Sequence, residues 1–216
     1  MQRPASLKIA ISGSPGTGKT TLVRALAARL ELAVVEEGLS PLASADQALL
    51  QLIASGRPAR NDVLAARNRL IQAFLDWTES RASQYARHDR LVADRWEADV
   101  LDWWLMRFGQ DNHNVHQITL ALLRDMQTKS ASMNVQIVMP LQVPFTALPN
   151  AEGTPRNNGF TSRVLHNVLT LGLVQQFTPL RVIRVPDGPL SVEQRVDYLV
   201  TAIFSQQQNP NTSRNL

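Results

Sequence analysis

The feature that most constrains the fold of this chain is a glycine-rich segment that begins at Gly13. Residues 13–20 read Gly-Ser-Pro-Gly-Thr-Gly-Lys-Thr and match the pattern G-x-x-x-x-G-K-[ST]. The segment follows a β-branched apolar run over 7–12 and precedes 20–30, where apolar residues recur with helical spacing. This context predicts a phosphate-binding loop, because backbone N–H groups converge on phosphate oxygens at a helix N-terminus.

We expect this loop to bind a nucleoside triphosphate together with Mg²⁺. The Lys19 ammonium is predicted to hold the β- and γ-phosphates, and the Thr20 hydroxyl is predicted to ligate Mg²⁺. The predicted nucleotide-binding residues run consecutively through the loop and the first helical turn: Gly13, Ser14, Pro15, Gly16, Thr17, Gly18, Lys19, Thr20 and Thr21.

The rest of the chain alternates between short apolar strands and amphipathic helices. The predicted strands are 7–12, 32–35, 91–94, 135–139 and 180–185, and the predicted helices are 20–30, 45–55, 62–87, 97–108, 115–129, 161–176 and 191–207. This alternation predicts an α/β fold, in which a five-stranded parallel sheet is covered by helices on both faces. We predict a single domain over 1–205 and a polar, disordered tail over 206–216.

Composition excludes several classes of protein. The chain has no cysteine, which excludes a disulfide scaffold, a thiolate nucleophile and any cysteine-based metal site. The net charge is only +4, and the basic residues are scattered except for a cluster over 57–69, so nucleic acid is not an expected partner. No run approaches the ~20 apolar residues of a membrane span, and 1–6 lack the apolar segment of a signal peptide. We therefore expect a cytoplasmic protein.

An acidic residue and an arginine stand at the end of the third predicted strand. Asp94 is predicted to be a catalytic and metal-binding residue, because a carboxylate at this strand end lies beside the loop, where it can hold a Mg²⁺-bound water or orient a nucleophile. The alternative is a surface aspartate that caps the following helix. Arg95 is predicted to bind a substrate phosphate, and pairing with Glu97 or Asp99 is the alternative for its side chain.

These features together resemble the P-loop small-molecule kinases, which include thymidylate kinases, deoxynucleoside kinases and ribosylnicotinamide kinases. The resemblance rests on the P-loop, on Val34-Val-Glu-Glu-Gly38 and on Asp94-Arg95. It is greatest to the ATP-binding AAA-domain family grouped with the ribosylnicotinamide kinases, because 185–197 read Val-Pro-Asp-Gly-Pro-Leu-Ser-Val-Glu-Gln-Arg-Val-Asp, similar to that family's closing pattern. The resemblance covers most of 7–204 and implies the strand order 2-3-1-4-5, but it does not fix the substrate.

Two glutamates follow the second predicted strand and are candidate substrate-binding residues. At least one of Glu36 and Glu37 is predicted to face the crevice at the carboxyl ends of the strands, where it accepts a proton from a substrate hydroxyl or binds a ribose. Glu36 is favoured as the catalytic one, because alternation along a strand gives it the orientation of Val34. The resemblance to deoxynucleoside kinases implies a base at a similar position. The alternative is a pair of solvated or helix-capping acids.

The segment 144–163 is predicted to be a mobile lid. It contains three prolines, two glycines and little periodicity. Arg156 and Arg163 are its arginines and are predicted to be catalytic residues that complete the active site. The resemblance implies a lid pattern Asp-Gly-x-Arg, from which Glu152-Gly-Thr-Pro-Arg156 departs by one additional residue.

Two functions remain open from the sequence alone. The first is a Mg²⁺-dependent phosphotransferase that moves the γ-phosphate of ATP to a small nucleoside- or nucleotide-like acceptor, with charge neutralised by Lys19, Mg²⁺ and arginines. The second is an ATP-hydrolysing or ATP-sensing regulator that acts through a protein partner. The glutamates and the predicted lid favour the first function, while the lack of a recognisable acceptor motif keeps the second open.

Overall fold

Short parallel strands and longer helices alternate along the chain in the computed structural model, which describes residues 4–108, 113–141, 160–177 and 181–205. The elements are β1 (Leu7–Ser12), α1 (Lys19–Leu30), β2 (Ala33–Val35), α2 (Ser40–Ala54), α3 (Arg60–Ala86), β3 (Arg90–Asp94), α4 (Glu97–Phe108), α5 (His113–Ser130), β4 (Val135–Val138), α6 (Phe160–Phe177), β5 (Arg181–Arg184) and α7 (Val192–Ser205).

The five strands form one parallel sheet in the order β2-β3-β1-β4-β5. The α/β class and the strand order predicted from the sequence are therefore confirmed. The register pairs Ile11 of β1 with Asp94 of β3, and Ser12 of β1 with Val138 of β4. Because the strands are parallel, the carboxyl ends of β1 and β3 lie next to each other, and the loop that follows β1 begins beside Asp94.

The main hydrophobic core lies between the sheet and helices α1 and α7. Strand β1 is buried along almost its whole length, as expected for a central strand that is covered on both faces. Helix α1 contributes Leu22, Val23, Leu26 and Leu30, whose spacing places them on one face of the helix. Helix α7 adds Val196, Leu199 and Ile203. This packing fixes the start of α1, which is where the phosphate-binding motif ends.

The chain divides into two compact units. The first comprises 1–35 and 89–216 within the described ranges, and it contains the whole sheet and the glycine-rich loop. The second comprises Glu36–His88 and contains α2 and α3, which lie against each other. The single domain over 1–205 stays a prediction. The polar tail over 206–216 lies outside the described residues.

Within the described parts of the chain, every helix is too short or too polar to cross a lipid bilayer.

Candidate nucleotide-binding site

The loop between β1 and α1 has a glycine with positive φ at each end. Gly13 has a φ of 143°, and a Cβ atom at this position would lie 2.8 Å from the Cβ of Met139, which follows β4. Gly18 has a φ of 86° and is the N-cap of α1. These positions require glycine for conformation and, at Gly13, also for space. The motif read from the sequence therefore forms the tight loop and helix start that phosphate binding needs.

Lys19 is folded back over this loop. Its Nζ donates hydrogen bonds to the carbonyl oxygens of Gly13 at 2.6 Å and of Ser14 at 2.8 Å. The same Ser14 carbonyl accepts the hydroxyl of Thr17 at 2.9 Å. The Lys19 side chain is buried, so its positive charge is held at the loop instead of in solvent. A cation fixed at this point, next to a helix N-terminus, suits an anionic ligand.

The two predicted Mg²⁺ ligands lie side by side. The Thr20 hydroxyl, in the first turn of α1, donates a 2.6 Å hydrogen bond to Oδ2 of Asp94, the last residue of β3. Asp94 is fully buried, whereas Thr20 is exposed. A hydroxyl and a carboxylate are the hard oxygen donors that Mg²⁺ prefers. The residues present therefore fit a Mg²⁺ ion, and their role as its ligands stays a prediction.

The backbone after β3 turns sharply at Arg95, which has a φ of 67° although it is not a glycine. The Arg95 N–H donates to the Ile11 carbonyl at 3.0 Å, which continues the pairing of β3 with β1. The Arg95 guanidinium lies 3.6 Å from Oδ1 of Asp99, so one of the pairings considered from the sequence is present. Its predicted contact with a substrate phosphate is untested.

Asp99 has a role at the loop that the sequence did not indicate. Its Oδ1 accepts the N–H of Gly13 at 3.0 Å, and its Oδ2 accepts the N–H of Trp96 at 3.0 Å. Burial opposes ionisation, but the nearby His166 imidazole and the charge of Arg95 hold the pKa of Asp99 well below its usual range. The carboxylate therefore stays ionised and connects the loop to the start of α4.

Glu36 and Glu37 are the first residues of the second unit. The carbonyl of Glu36 accepts a 2.5 Å hydrogen bond from Nη1 of Arg81, and the carbonyl of Glu37 accepts a 2.8 Å hydrogen bond from Nε1 of Trp77. Helix α3 thereby holds the turn that contains both acids. Strand β2 ends at Val35, so strand alternation does not extend to the glutamates, and the preference for Glu36 stays a prediction.

The second unit contains a cavity of about 420 Å³ between the start of α2 and one face of α3. Trp77 and Arg81 line it, and the Arg81 guanidinium lies 5.1 Å from the centre of the Trp77 ring. The polar lining includes Gln72, whose side-chain amide donates a 2.8 Å hydrogen bond to Asp76. The remaining lining residues are Gly38, Pro41, Leu42, Arg69, Ala73, Ser80 and Gln84. The sequence predicted a long helix here but gave no sign of this cavity.

Most of the predicted lid, including Arg156, lies outside the described residues. Residues 160–163 form the first turn of α6, and only the backbone of Arg163 is described. The assignment of these two arginines to the active site therefore stays a prediction.

Comparisons with known proteins agree with this architecture. Deoxyadenosine kinase from M. mycoides superposes with a TM-score of 0.63 at 14% identity, over 92% of this chain and 99% of the kinase. Thymidylate kinase from Candida albicans gives a TM-score of 0.58 at 12% identity, over 94% and 92% of the two chains. NadR protein, solved in complex with NAD and AMP-PNP, gives a TM-score of 0.53 at 19% identity. This match includes 93% of the present chain but only 50% of NadR.

Structural similarity at these low sequence identities establishes the fold of the chain but not its reaction. No curated protein sequence matches the chain significantly. The family model described as AAA domain matches residues 8–133, more than half of the chain and inclusive of the glycine-rich loop, β3 and α4. The chain therefore belongs to the AAA-domain family, as the motifs of its sequence implied.

Proposed function

We propose that the protein is an ATP-dependent kinase that transfers the γ-phosphate of ATP to a small nucleoside- or nucleotide-like acceptor. The observation that carries the proposal is that the chain has two separate binding features. Lys19 and the Thr20–Asp94 pair lie at the phosphate-binding loop of the sheet unit, and a cavity of about 420 Å³ lies in the unit of 36–88. ATP hydrolysis needs the first feature only, whereas phosphoryl transfer to an acceptor needs both.

The phosphate-binding loop supplies the donor side of the proposed reaction. Its backbone N–H groups and the Lys19 ammonium would bind the β- and γ-phosphates, and Thr20 and Asp94 are the residues that would hold Mg²⁺. When bound, Mg²⁺ would neutralise negative charge that develops during transfer. Arg95, and Arg156 and Arg163 of the predicted lid, are proposed to contribute further positive charge.

The unit of 36–88 is proposed to supply the acceptor side. Glu36 or Glu37 accepts the proton of the acceptor hydroxyl as its oxygen bonds to the γ-phosphorus, while the bond from that phosphorus to the β,γ-bridging oxygen breaks and ADP leaves. The positions of both acids are held by Arg81 and Trp77 through their carbonyl groups. Because the same two residues line the cavity, an acceptor bound there is positioned relative to the proposed base.

The lining of the cavity favours a heterocyclic acceptor. Trp77 and Leu42 offer apolar surface, while Gln72, Asp76 and Gln84 offer both donors and acceptors of hydrogen bonds. A nucleobase or nicotinamide ring has a flat apolar face and a polar edge, which suits such a lining. The structural similarity to deoxyadenosine kinase, thymidylate kinase and NadR supports the same acceptor class.

A test measures ADP release from ATP and Mg²⁺ in the presence of nucleosides, nucleoside monophosphates and ribosylnicotinamide. We expect ADP release to depend on one class of acceptor and to match the amount of phosphorylated product detected by mass spectrometry. Lys19→Ala is the control for contaminating enzymes. Equal ADP release with and without every acceptor would identify an ATPase instead and would overturn the proposal.

A further inference from the structure

Asp99 joins the two sides of the phosphate site through its two carboxylate oxygens. One oxygen accepts the N–H of Gly13, the first residue of the phosphate-binding loop, at 3.0 Å. The other accepts the N–H of Trp96, two residues after Asp94, also at 3.0 Å. The loop and the segment that follows the predicted metal ligand are therefore held by a single buried side chain.

A histidine of α6 lies against Asp99 and Asp102 of α4. His166 of α6 lies with Nε2 at 3.6 Å from Oδ1 of Asp99, and its Nδ1 contacts Oδ2 of Asp102 directly. Asp102 is one helical turn after Asp99 on α4 and also accepts the Thr170 hydroxyl at 3.1 Å. The imidazole thus bridges two carboxylates of α4 and connects them to α6.

This cluster consists of buried ionisable side chains, which are energetically less favourable than apolar side chains if their only role is packing. Asp99 and Asp102 are both almost completely buried, and His166 is 12% exposed. Burial raises the pKa of Asp102 to about 6. Burial acts against protonation of His166, but its contacts with the carboxylates of Asp102 and Asp99 raise the pKa of the imidazole above its ordinary value. Apolar residues of similar volume would fill this space between α4 and α6 without the desolvation of charged groups.

We propose that Asp99 is a positioning residue for the phosphate-binding loop and that His166 fixes its orientation, so that helix α6 controls the geometry of the phosphate cradle. This inference rests on the proposed function only in taking the loop as the ATP site. It connects α6 to nucleotide binding, because His166 of α6 contacts both Asp99 and Asp102 of α4.

The geometry predicts which substitutions matter. In Asp99→Asn, one carboxylate oxygen becomes an NH₂ group, which faces an N–H donor of Gly13 or Trp96 and cannot accept it. His166→Leu removes both contacts with α4, whereas His166→Gln keeps a donor that reaches one carboxylate. Thr170→Val is the matched control, since it removes a hydrogen bond to Asp102 in the same buried layer and leaves both hydrogen bonds of Asp99 intact.

The first measurement is the affinity for ATP in the presence of Mg²⁺, determined by calorimetry on the full chain. We expect Asp99→Asn to raise the Kd for ATP by about 10-fold to 100-fold. This range is typical of groups that orient the ligands of a bound metal ion. His166→Leu should lose more affinity than His166→Gln, and Thr170→Val should bind like the parent. Equal affinity of the parent, Asp99→Asn and His166→Leu would overturn the inference.

The second measurement does not depend on nucleotide and remains valid if Asp99→Asn does not fold. Hydrogen exchange of peptides that cover residues 10–20 should be faster in His166→Leu than in Thr170→Val, when both variants are compared at equal thermal stability. Equal exchange in the two variants would indicate a merely structural cluster and contradict the inference. Failure of the ATP site itself is recognised separately, because Lys19→Ala would then bind ATP as tightly as the parent.

Discussion

The phosphate-binding loop and the cavity of 36–88 are built in opposite ways. The loop is a backbone structure: glycines with positive φ begin and end it, and Lys19 is held by main-chain carbonyls. The cavity is a side-chain structure, lined by residues that recur along one face of a 27-residue helix. Phosphates are common to all nucleotides and can be bound by backbone N–H groups alone, whereas selection of an acceptor requires side chains of matching shape and polarity. A short sequence motif can therefore specify a phosphate site, whereas the specificity of a cavity depends on side chains distributed along a helix.

The strongest test of this contrast is Lys19→Ala. The substitution removes the charge that lies at the carbonyls of Gly13 and Ser14 but leaves the glycine-dependent loop intact. We expect turnover to fall by about 10³-fold or more, because fixed cations at a transferring phosphoryl group contribute on this scale. The midpoint of thermal unfolding should change little. Turnover at the parental rate would contradict the assignment of the loop as the catalytic donor site.

A substitution at the acceptor side should affect a different kinetic parameter. Glu36→Gln is expected to lower acceptor phosphorylation by about 10²-fold to 10⁴-fold, the usual contribution of a general base. The affinity for ATP should be unchanged, since Glu36 belongs to the unit of 36–88. Glu37→Gln is the matched control.

The outcome of this pair identifies the base. A larger loss of acceptor phosphorylation in Glu37→Gln would identify Glu37 as the base. Strand alternation cannot distinguish the two glutamates, because β2 ends at Val35. If Glu36→Gln loses as much ATP affinity as Lys19→Ala, the proposal that the loop binds ATP and the unit of 36–88 binds the acceptor is contradicted.

The sheet and the glycine-rich loop between β1 and α1 could be predicted from the sequence for the same physical reason. Buried parallel strands are uniformly apolar, and a phosphate loop needs glycine where φ is positive, so both leave a local pattern. The position of Asp94 beside the loop was also predicted, because adjacent parallel strands end at the same edge, and its contact with Thr20 agrees with that position. Asp99 and Arg81 were not found as functional candidates. Their contacts join residues 86 and 45 positions apart, and nothing in the local spacing specifies such pairs.

A milder substitution tests the cavity by itself. Trp77→Phe keeps an aromatic ring near Arg81 but removes the 2.8 Å hydrogen bond from Nε1 to the Glu37 carbonyl. We expect the KM for the acceptor to rise by up to about 10-fold, which corresponds to the net loss of one hydrogen bond. The KM for ATP should stay the same. The control is Thr119→Val, which removes a 2.7 Å hydrogen bond from the indole of Trp104 in the sheet unit. A rise in the KM for ATP with Trp77→Phe would show that the two regions are not specialised as proposed.

The smallest expected effect is a dependence of local stability on pH that is confined to the sheet unit. Burial raises the pKa of Asp102 from 3.8 to about 6. Although burial acts in the opposite direction, contacts with the carboxylates of Asp102 and Asp99 raise the pKa of His166 above 6.5. A pKa that is higher in the folded state contributes stability below the unfolded-state value, and this contribution is lost as pH rises through the folded-state value. The stability of the contact between α4 and α6 should therefore decline as pH rises, between 3.8 and about 6 through Asp102 and above 6.5 through His166.

Hydrogen-exchange protection factors, which correct for the intrinsic effect of pH on exchange, measure this decline directly. Protection should fall with rising pH in peptides of α4 and α6, and the fall should be smaller in His166→Gln, which does not titrate. Peptides of α3 serve as the internal control, since α3 belongs to the other unit and has no member of the Asp99–Asp102–His166 cluster. If protection in α3 falls as steeply as in α4, or if His166→Gln declines in parallel with the parent, the loss does not arise from this cluster. A decline restricted to α4 and α6 would attribute the pH dependence to the Asp99–Asp102–His166 cluster, which contacts the phosphate-binding loop through Asp99.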